Sequence, residues 1–268
     1  METMQLETLK TWFESYVTGF CEIDEDGRRN IDLKIEHTRR VCAVMERLTA
    51  GEGLGANESR TAAAIALLHD VGRFPQYLRW RTFRDKDSDN HGRLAVEVIR
   101  SERLLDGLDA GERVLIEEAV RFHNLLNMPR RMQSPTDMYL RLVRDADKLD
   151  IWRVFVEQLE LPPELRASAA FLGFPDNGRV SAACLQELAA RRIVNLDKVT
   201  SVDDFKLLLI SWAYNLNFST ACRLLREGRF IERLSTGLGG GADAKKAVDA
   251  ALNYVVHRIL PEGASHGA

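Results

Sequence analysis

The chain's residue pattern predicts an all-α protein, on three observations. Apolar residues recur at three- and four-residue intervals along most of the 268 positions, which is the helical period. Stretches with the two-residue alternation of a strand are almost absent. Several periodic stretches open after Asp or Asn and close on Gly, residues that start and stop helices.

The first helix carries Leu6, Leu9, Phe13, Tyr16, Val17 and Phe20 as one stripe, after which the polar segment EIDEDGRRN reads as a loop. The second has His37, Val41, Val44, Met45 and Leu48 on one face and stops near Gly51-Glu52-Gly53. Asn57 is expected to cap the third, SRTAAAIALLHD, which closes at Gly72. Residues 73–90, RFPQYLRWRTFRDKDSDN, read as a long basic and aromatic loop, with Asp89 or Asn90 capping a helix that begins at His91. RVLIEEAVRFHNLL then sets Ile116, Ala119, Val120 and His123 on a shared face. After Pro129 and Pro135 a long helix runs from about Asp137 to Glu160, and Pro162-Pro163 breaks it. Further helices are expected around 179–193, 202–216 and 219–235, and the glycine-rich run Gly237 to Gly241 precedes a last one, ADAKKAVDAALNYVVHRIL. The predicted organisation is a helical bundle over residues 1–160 and a helical extension over 161–268 packing on the same core. The tail PEGASHGA is expected to be disordered.

Composition narrows the function classes. Apolar content of 45% and charged content of 29% are those of a soluble globular protein. A net charge of −3 provides no global basic field for nucleic acid. Cys21, Cys42, Cys184 and Cys222 are far apart, as free thiols in a reducing compartment would be. The start METMQLETLKTWFESYV lacks the basic-then-apolar layout of a signal peptide, and no stretch reaches the length of an uncharged membrane span. A cytoplasmic location is therefore expected.

The chemistry is concentrated in four of the six histidines, His37, His69, His91 and His123, with Asp70 and Asp147. A His-Asp dipeptide alone carries little weight; the argument is collective. His37, His123 and Asp147 each occupy the apolar stripe of their own helix, and burying an ionised Asp147 is costly unless a cation compensates. Imidazoles and carboxylates buried on neighbouring helices stay unsatisfied without a shared partner, and a metal supplies one. Helical geometry also separates two aspartates. Asp147 shares a stripe with Val143, Ile151 and Val154, whereas Asp145 points nearly opposite, beside Leu142, Leu149 and Trp152, where a salt bridge to an Arg would hold it.

With ALLHDVGRFPQ and DADKLD written out, the order His37, His69-Asp70, His91, His123, Asp147 resembles the HD-domain superfamily of metal-dependent phosphohydrolases, over roughly residues 31–160. The resemblance implies an HD-domain helical bundle as the catalytic part and leaves the extension unexplained. It implies that His37, His69, Asp70 and Asp147 hold a first metal, and that His91 and His123 hold a second, with Asp70 bridging. One-metal branches lack those two histidines, so a dinuclear site is expected. Four imidazoles suit Mn, Fe, Co, Ni or Zn, giving two divalent transition-metal ions as cofactor. Ions about 3.5–4 Å apart can share a hydroxide for in-line attack at phosphorus.

The implied function is hydrolysis of a phosphoester, mono or di, in a small phosphorylated molecule such as a nucleotide. Asp70 and Arg73 are the expected catalytic residues. Arg73, one turn past Asp70, is the expected phosphate contact because a guanidinium fork fits phosphate oxygens. Arg84 and Lys148 are further substrate contacts, and Trp80 and Phe83 either stack on a base or pin the loop. Two other readings use the same residues: an HD-type di-iron oxygenase, and a non-catalytic sensor or scaffold HD domain. Cyclic-dinucleotide phosphodiesterases of the superfamily carry Gly-Tyr-Pro between the third and fourth histidines, but Gly173-Phe174-Pro175 falls after Asp147 here. Alarmone hydrolases place an acidic pair after the His-Asp dipeptide, where this chain has Val71-Gly72-Arg73-Phe74. Neither specialisation is expected. His257 and His266 are not expected to be ligands.

Overall fold

The computed structural model describes residues 1–129, 132 and 134–259; the tail expected to be disordered, with His266, lies outside them. The described residues contain no strand, in keeping with the all-α expectation, and none of their helices is long and apolar enough to cross a membrane. In chain order the helices are α1 (Thr3–Thr18), α2 (Glu25–Gly51), α3 (Ala56–Leu68), α4 (Arg73–Trp80), α5 (His91–Ser101), α6 (Ala110–Phe122), α7 (Thr136–Glu160), α8 (Ala182–Ala189), α9 (Val202–Ser211), α10 (Ser219–Glu227), α11 (Phe230–Ser235) and α12 (Gly241–Ile259).

Three local expectations are corrected. Most of the EIDEDGRRN segment is helical, because the Asp24 carboxylate caps α2 by accepting from Gly27 N–H, and Glu25 and Asp26 lie in the first turn, where the helix dipole favours them. Asn57 does not cap α3; the helix begins two residues earlier, with Glu58 reaching back to accept the Gly55 N–H. Residues 73–80 are not loop but α4, leaving an irregular segment only from 81 to 90, with a 3₁₀ turn at Asp85–Asp87. Pro75 reads as a breaker in sequence, yet it sits in the first turn, where a missing N–H costs no helical bond.

The chain divides into two compact units, and α7 supplies residues to both. One comprises Met1–Ile151 with Leu161–Leu172, the other Trp152–Glu160 with the chain from Gly173 on. In the first unit α1 fastens α4 through a ring cluster, with Phe74 lying 6.1 Å from Phe13, 6.0 Å from Tyr16 and 5.6 Å from Phe20 between centroids. Buried Asn30 of α2 donates to the Tyr77 hydroxyl on α4 at 2.9 Å, and its carbonyl oxygen accepts from Ala169 N–H at 3.0 Å. That second bond ties the 161–172 segment to α2.

In the second unit α9 is buried all round, the pattern of a helix enclosed by its neighbours. The Trp152 indole donates to Leu209 O at 3.0 Å, and Phe155 meets Phe205 edge-on at 4.9 Å. The buried carboxylates on α9 are matched by donors. Asp204 accepts from Ser181 N–H and Thr200 N–H, while Asp203 takes the Lys206 ammonium at 2.8 Å and Gly239 N–H at 3.0 Å. The glycine-rich turn before α12 is thus pinned by a carboxylate of this unit.

Candidate metal centre

Five segments of the first unit deliver the six residues. His37 lies mid-way along α2, His69 and Asp70 in the turn after α3, His91 at the first position of α5, His123 at the end of α6 and Asp147 in α7. Asn90 caps α5, its side chain accepting from Arg93 N–H at 3.0 Å, which fixes where His91 emerges. Two glycines draw three of these segments together. A Cβ on Gly72 would collide with His91 O and Ala95 N, and one on Gly92 would sit 2.6 Å from Arg121 O. Gly72→Ala is expected to lower stability by roughly 1–3 kcal/mol, because backbone on both sides must move. A urea midpoint unchanged from the parent would contradict it.

The Asp70 carboxylate stands between two groups of nitrogens. Its Oδ2 faces His37 Nε2 at 3.5 Å and His69 Nε2 at 3.7 Å, and Asp147 Oδ1 lies 3.2 Å and 3.8 Å from the same two nitrogens. Its Oδ1 faces His91 Nε2 at 3.5 Å and His123 Nε2 at 3.8 Å, with those two nitrogens 3.1 Å apart. Bonds of about 2.0–2.2 Å to one ion put neighbouring ligand atoms about 3.0–3.6 Å from each other. These separations therefore suit atoms arranged around a common ion, and the residues fall into overlapping groups that could hold one. Asp145, fully buried, belongs to none of these groups; its charge acts on Arg141, Arg144 and Lys148.

Hydrogen bonding at the far side of each ring decides what the near side offers. His69 Nδ1 donates to Ala66 O and His123 Nδ1 to Val120 O, both at 2.7 Å, and a carbonyl can only accept. His37 Nδ1 donates to Asp150 Oδ2 at 2.7 Å, and His91 Nδ1 donates to both Asp85 oxygens at 2.8 Å. In the neutral rings every proton is therefore on Nδ1, and four Nε2 lone pairs converge on two carboxylates. His37 Nε2 and His69 Nε2 are buried without a hydrogen-bond partner. Acceptors facing acceptors repel, and a shared cation resolves the conflict. The donor set fits a bound metal by its chemistry: imidazole nitrogens oriented from behind by carboxylates and carbonyls.

Protonation follows the same logic. Burial pushes His91 and His123 down to about 4 and also lowers His69. His37 differs: burial and Lys34 push it down, but its contacts with Asp147 and Asp150 outweigh them and raise it. Burial pushes Asp70 up, yet the charges of Lys34, His69 and Arg73 hold it well below the usual carboxylate range. Burial likewise opposes ionisation of Asp147, and His37 and His69 overcome it. Between pH 6.5 and 4 the unfolded chain binds protons that folded His91 and His123 refuse. Their contribution is therefore intact above the unfolded value and lost as pH falls toward 4, with His37 running the other way. Chelated protein should show a lower urea midpoint at pH 5 than at pH 7; an equal or higher one would contradict this.

Arg73 is turned toward the cluster, its Nε 3.4 Å from Asp70 Oδ1, while Nη1 donates to Phe83 O at 2.6 Å and lies 3.2 Å from Asp85 Oδ1. Lys148 is buried beside Asp147, and burial pushes its ammonium down to about 8 against the pull of Asp145. Arg84 is partly exposed on the 81–90 segment and pairs with Asp87 at 3.2 Å. Phe83 is buried against Tyr77, so it pins this segment, whereas Trp80 is partly exposed and packs under Arg79.

Sequence reasoning missed Lys34, Asp85 and Asp150. Lys34 Nζ donates to Asp70 Oδ2 at 2.9 Å, and Lys34 and Arg73 both lie over the Phe83 ring. Lys34 is one turn before His37, and Asp150 one turn after Asp147, so helical spacing carried a signal for both. Asp85 lies on an irregular segment where no periodicity applies.

Residues 35–152 match the family model of the HD domain. Comparison with curated proteins and with solved structures found no match.

Proposed function

Residues 35–152 form an HD domain, and from that premise we propose that the protein is a metal-dependent phosphohydrolase with a dinuclear centre. The observation that carries this reading is the convergence of four Nε2 lone pairs on the two oxygens of Asp70. His37, His69, Asp70 Oδ2 and Asp147 would hold one ion; Asp70 Oδ1, His91 and His123 would hold the other. Mn, Fe, Co, Ni and Zn all suit such a set. Bound ions would supply Lewis-acid charge and a hydroxide available at neutral pH.

The chain's own residues do the rest. The four Nδ1–H bonds keep protons off Nε2, so the lone pairs stay directed at the centre. Lys34 and Arg73 touch opposite oxygens of Asp70 and share the Phe83 ring. They form a positive edge against which a phosphate can be oriented, Arg73 by its guanidinium and Lys34 as a point charge. The substrate class is a small phosphorylated molecule, with nucleotides the first to test. Metal-loaded protein is expected to release phosphate or a phosphomonoester from at least one member of a panel of nucleotides, sugar phosphates and diesters. Protein carrying two ions with no release from any of them would overturn the reading.

A further inference from the structure

We propose that Asp85 is a positioning residue for the second ion, acting through His91, and that through it the 81–90 segment is part of that metal position. The proposal rests on the dinuclear reading above.

The four rings are oriented from behind by four different acceptors. Ala66 O lies in α3, Val120 O in α6 and Asp150 in α7, all inside helices whose own bonding fixes them. Asp85 alone of the four stands on the irregular segment between α4 and α5. Both its oxygens are 2.8 Å from His91 Nδ1. Oδ1 also accepts from Gln76 Nε2 at 3.0 Å and Arg73 Nη1 at 3.2 Å, and Oδ2 accepts from Asn124 Nδ2 at 3.0 Å. One carboxylate thus gathers donors from α4, from α5 and from the residue after His123. Gln76 strengthens the tie, donating to Ser88 Oγ at 2.8 Å and Asp89 O at 2.9 Å. With its oxygens already accepting from Gln76, Arg73 and Asn124, the Asp85 carboxylate accepts from His91 as well, which places the ring proton on Nδ1 and leaves Nε2 bare.

Asp150 supplies the comparison, since it orients His37 of the other group by the same device. Asp85→Asn should therefore weaken only the second ion and Asp150→Asn only the first, each by about 10–100-fold. General loosening of the fold would weaken both together.

The test has two arms. In chelated protein, long-range ¹H–¹⁵N spectra of the imidazoles should place the His91 proton on Nδ1 in the parent, with loss of that single tautomer in Asp85→Asn and the His69 and His123 signals unmoved. Calorimetric titration with Mn²⁺ should then show two binding events in the parent and a selectively weakened second event in the variant. Asp85→Glu, which keeps the carboxylate, should recover part of the loss. An unchanged His91 tautomer, or two events of parental affinity in Asp85→Asn, would overturn the proposal while leaving the dinuclear reading intact. A parent that binds fewer than two ions would instead overturn that reading, and the spectra of chelated protein would still judge the role of Asp85.

Discussion

Asp70→Asn is expected to strip metal from both positions and to lower phosphate release by on the order of 10³-fold or more, equivalent to about 4 kcal/mol of lost transition-state stabilisation. The size of the effect follows from sharing. Oδ2 faces His37 and His69, and Oδ1 faces His91 and His123. An amide keeps the shape but removes the charge, and its NH₂ turns a donor toward one pair of Nε2 atoms. That donor satisfies lone pairs which a cation would otherwise take. The fold should survive, because the amide keeps the size of the carboxylate and the glycine contacts that draw the turn after α3, α5 and α6 together do not involve Asp70. Metal content and phosphate release measured on the same folded sample check this; retention of two ions would contradict it.

The second large effect is expected from His91→Ala combined with His123→Ala. These nitrogens face each other at 3.1 Å, and both face Asp70 Oδ1. Their removal should halve the metal content from two ions to one, since His37, His69, Asp70 and Asp147 still offer four ligands. Hydrolysis should fall by on the order of 10²-fold or more, because a single ion cannot stabilise both the attacking and the leaving oxygen. Double variants that still bind two ions would show that the second position has been drawn from the wrong residues.

Most of the centre was legible in sequence because most of it sits on helices. His37 and His123 fall on buried stripes that a 3.6-residue period exposes, whereas Asp147, Ile151 and Val154 share a stripe that is only half-buried; the same period separates Asp147 from the fully buried Asp145. What escaped did so for physical reasons. Helix α4 is hidden in sequence because Pro75 and the four arginines of the 73–90 stretch resemble a loop, while the burial of Phe74 and Tyr77 depends on rings contributed by α1 and the 81–90 segment. Asp85 gains its role from a fold of the chain that brings an irregular segment back onto His91, and neither spacing nor composition encodes that return. In sequence Gly72 reads as a helix stop, whereas its larger role is to let backbone approach backbone beside His91. Trp152–Glu160 and the described residues from Gly173 on form the second unit and contribute none of the six cluster residues.

Elemental analysis of purified protein, loaded in turn with Mn, Fe, Co, Ni and Zn and freed of excess metal, tests the central claim most directly. The expected result is two ions per chain for at least one of these metals, falling to one in the His91→Ala, His123→Ala variant. Less than one ion per chain with every metal would contradict it.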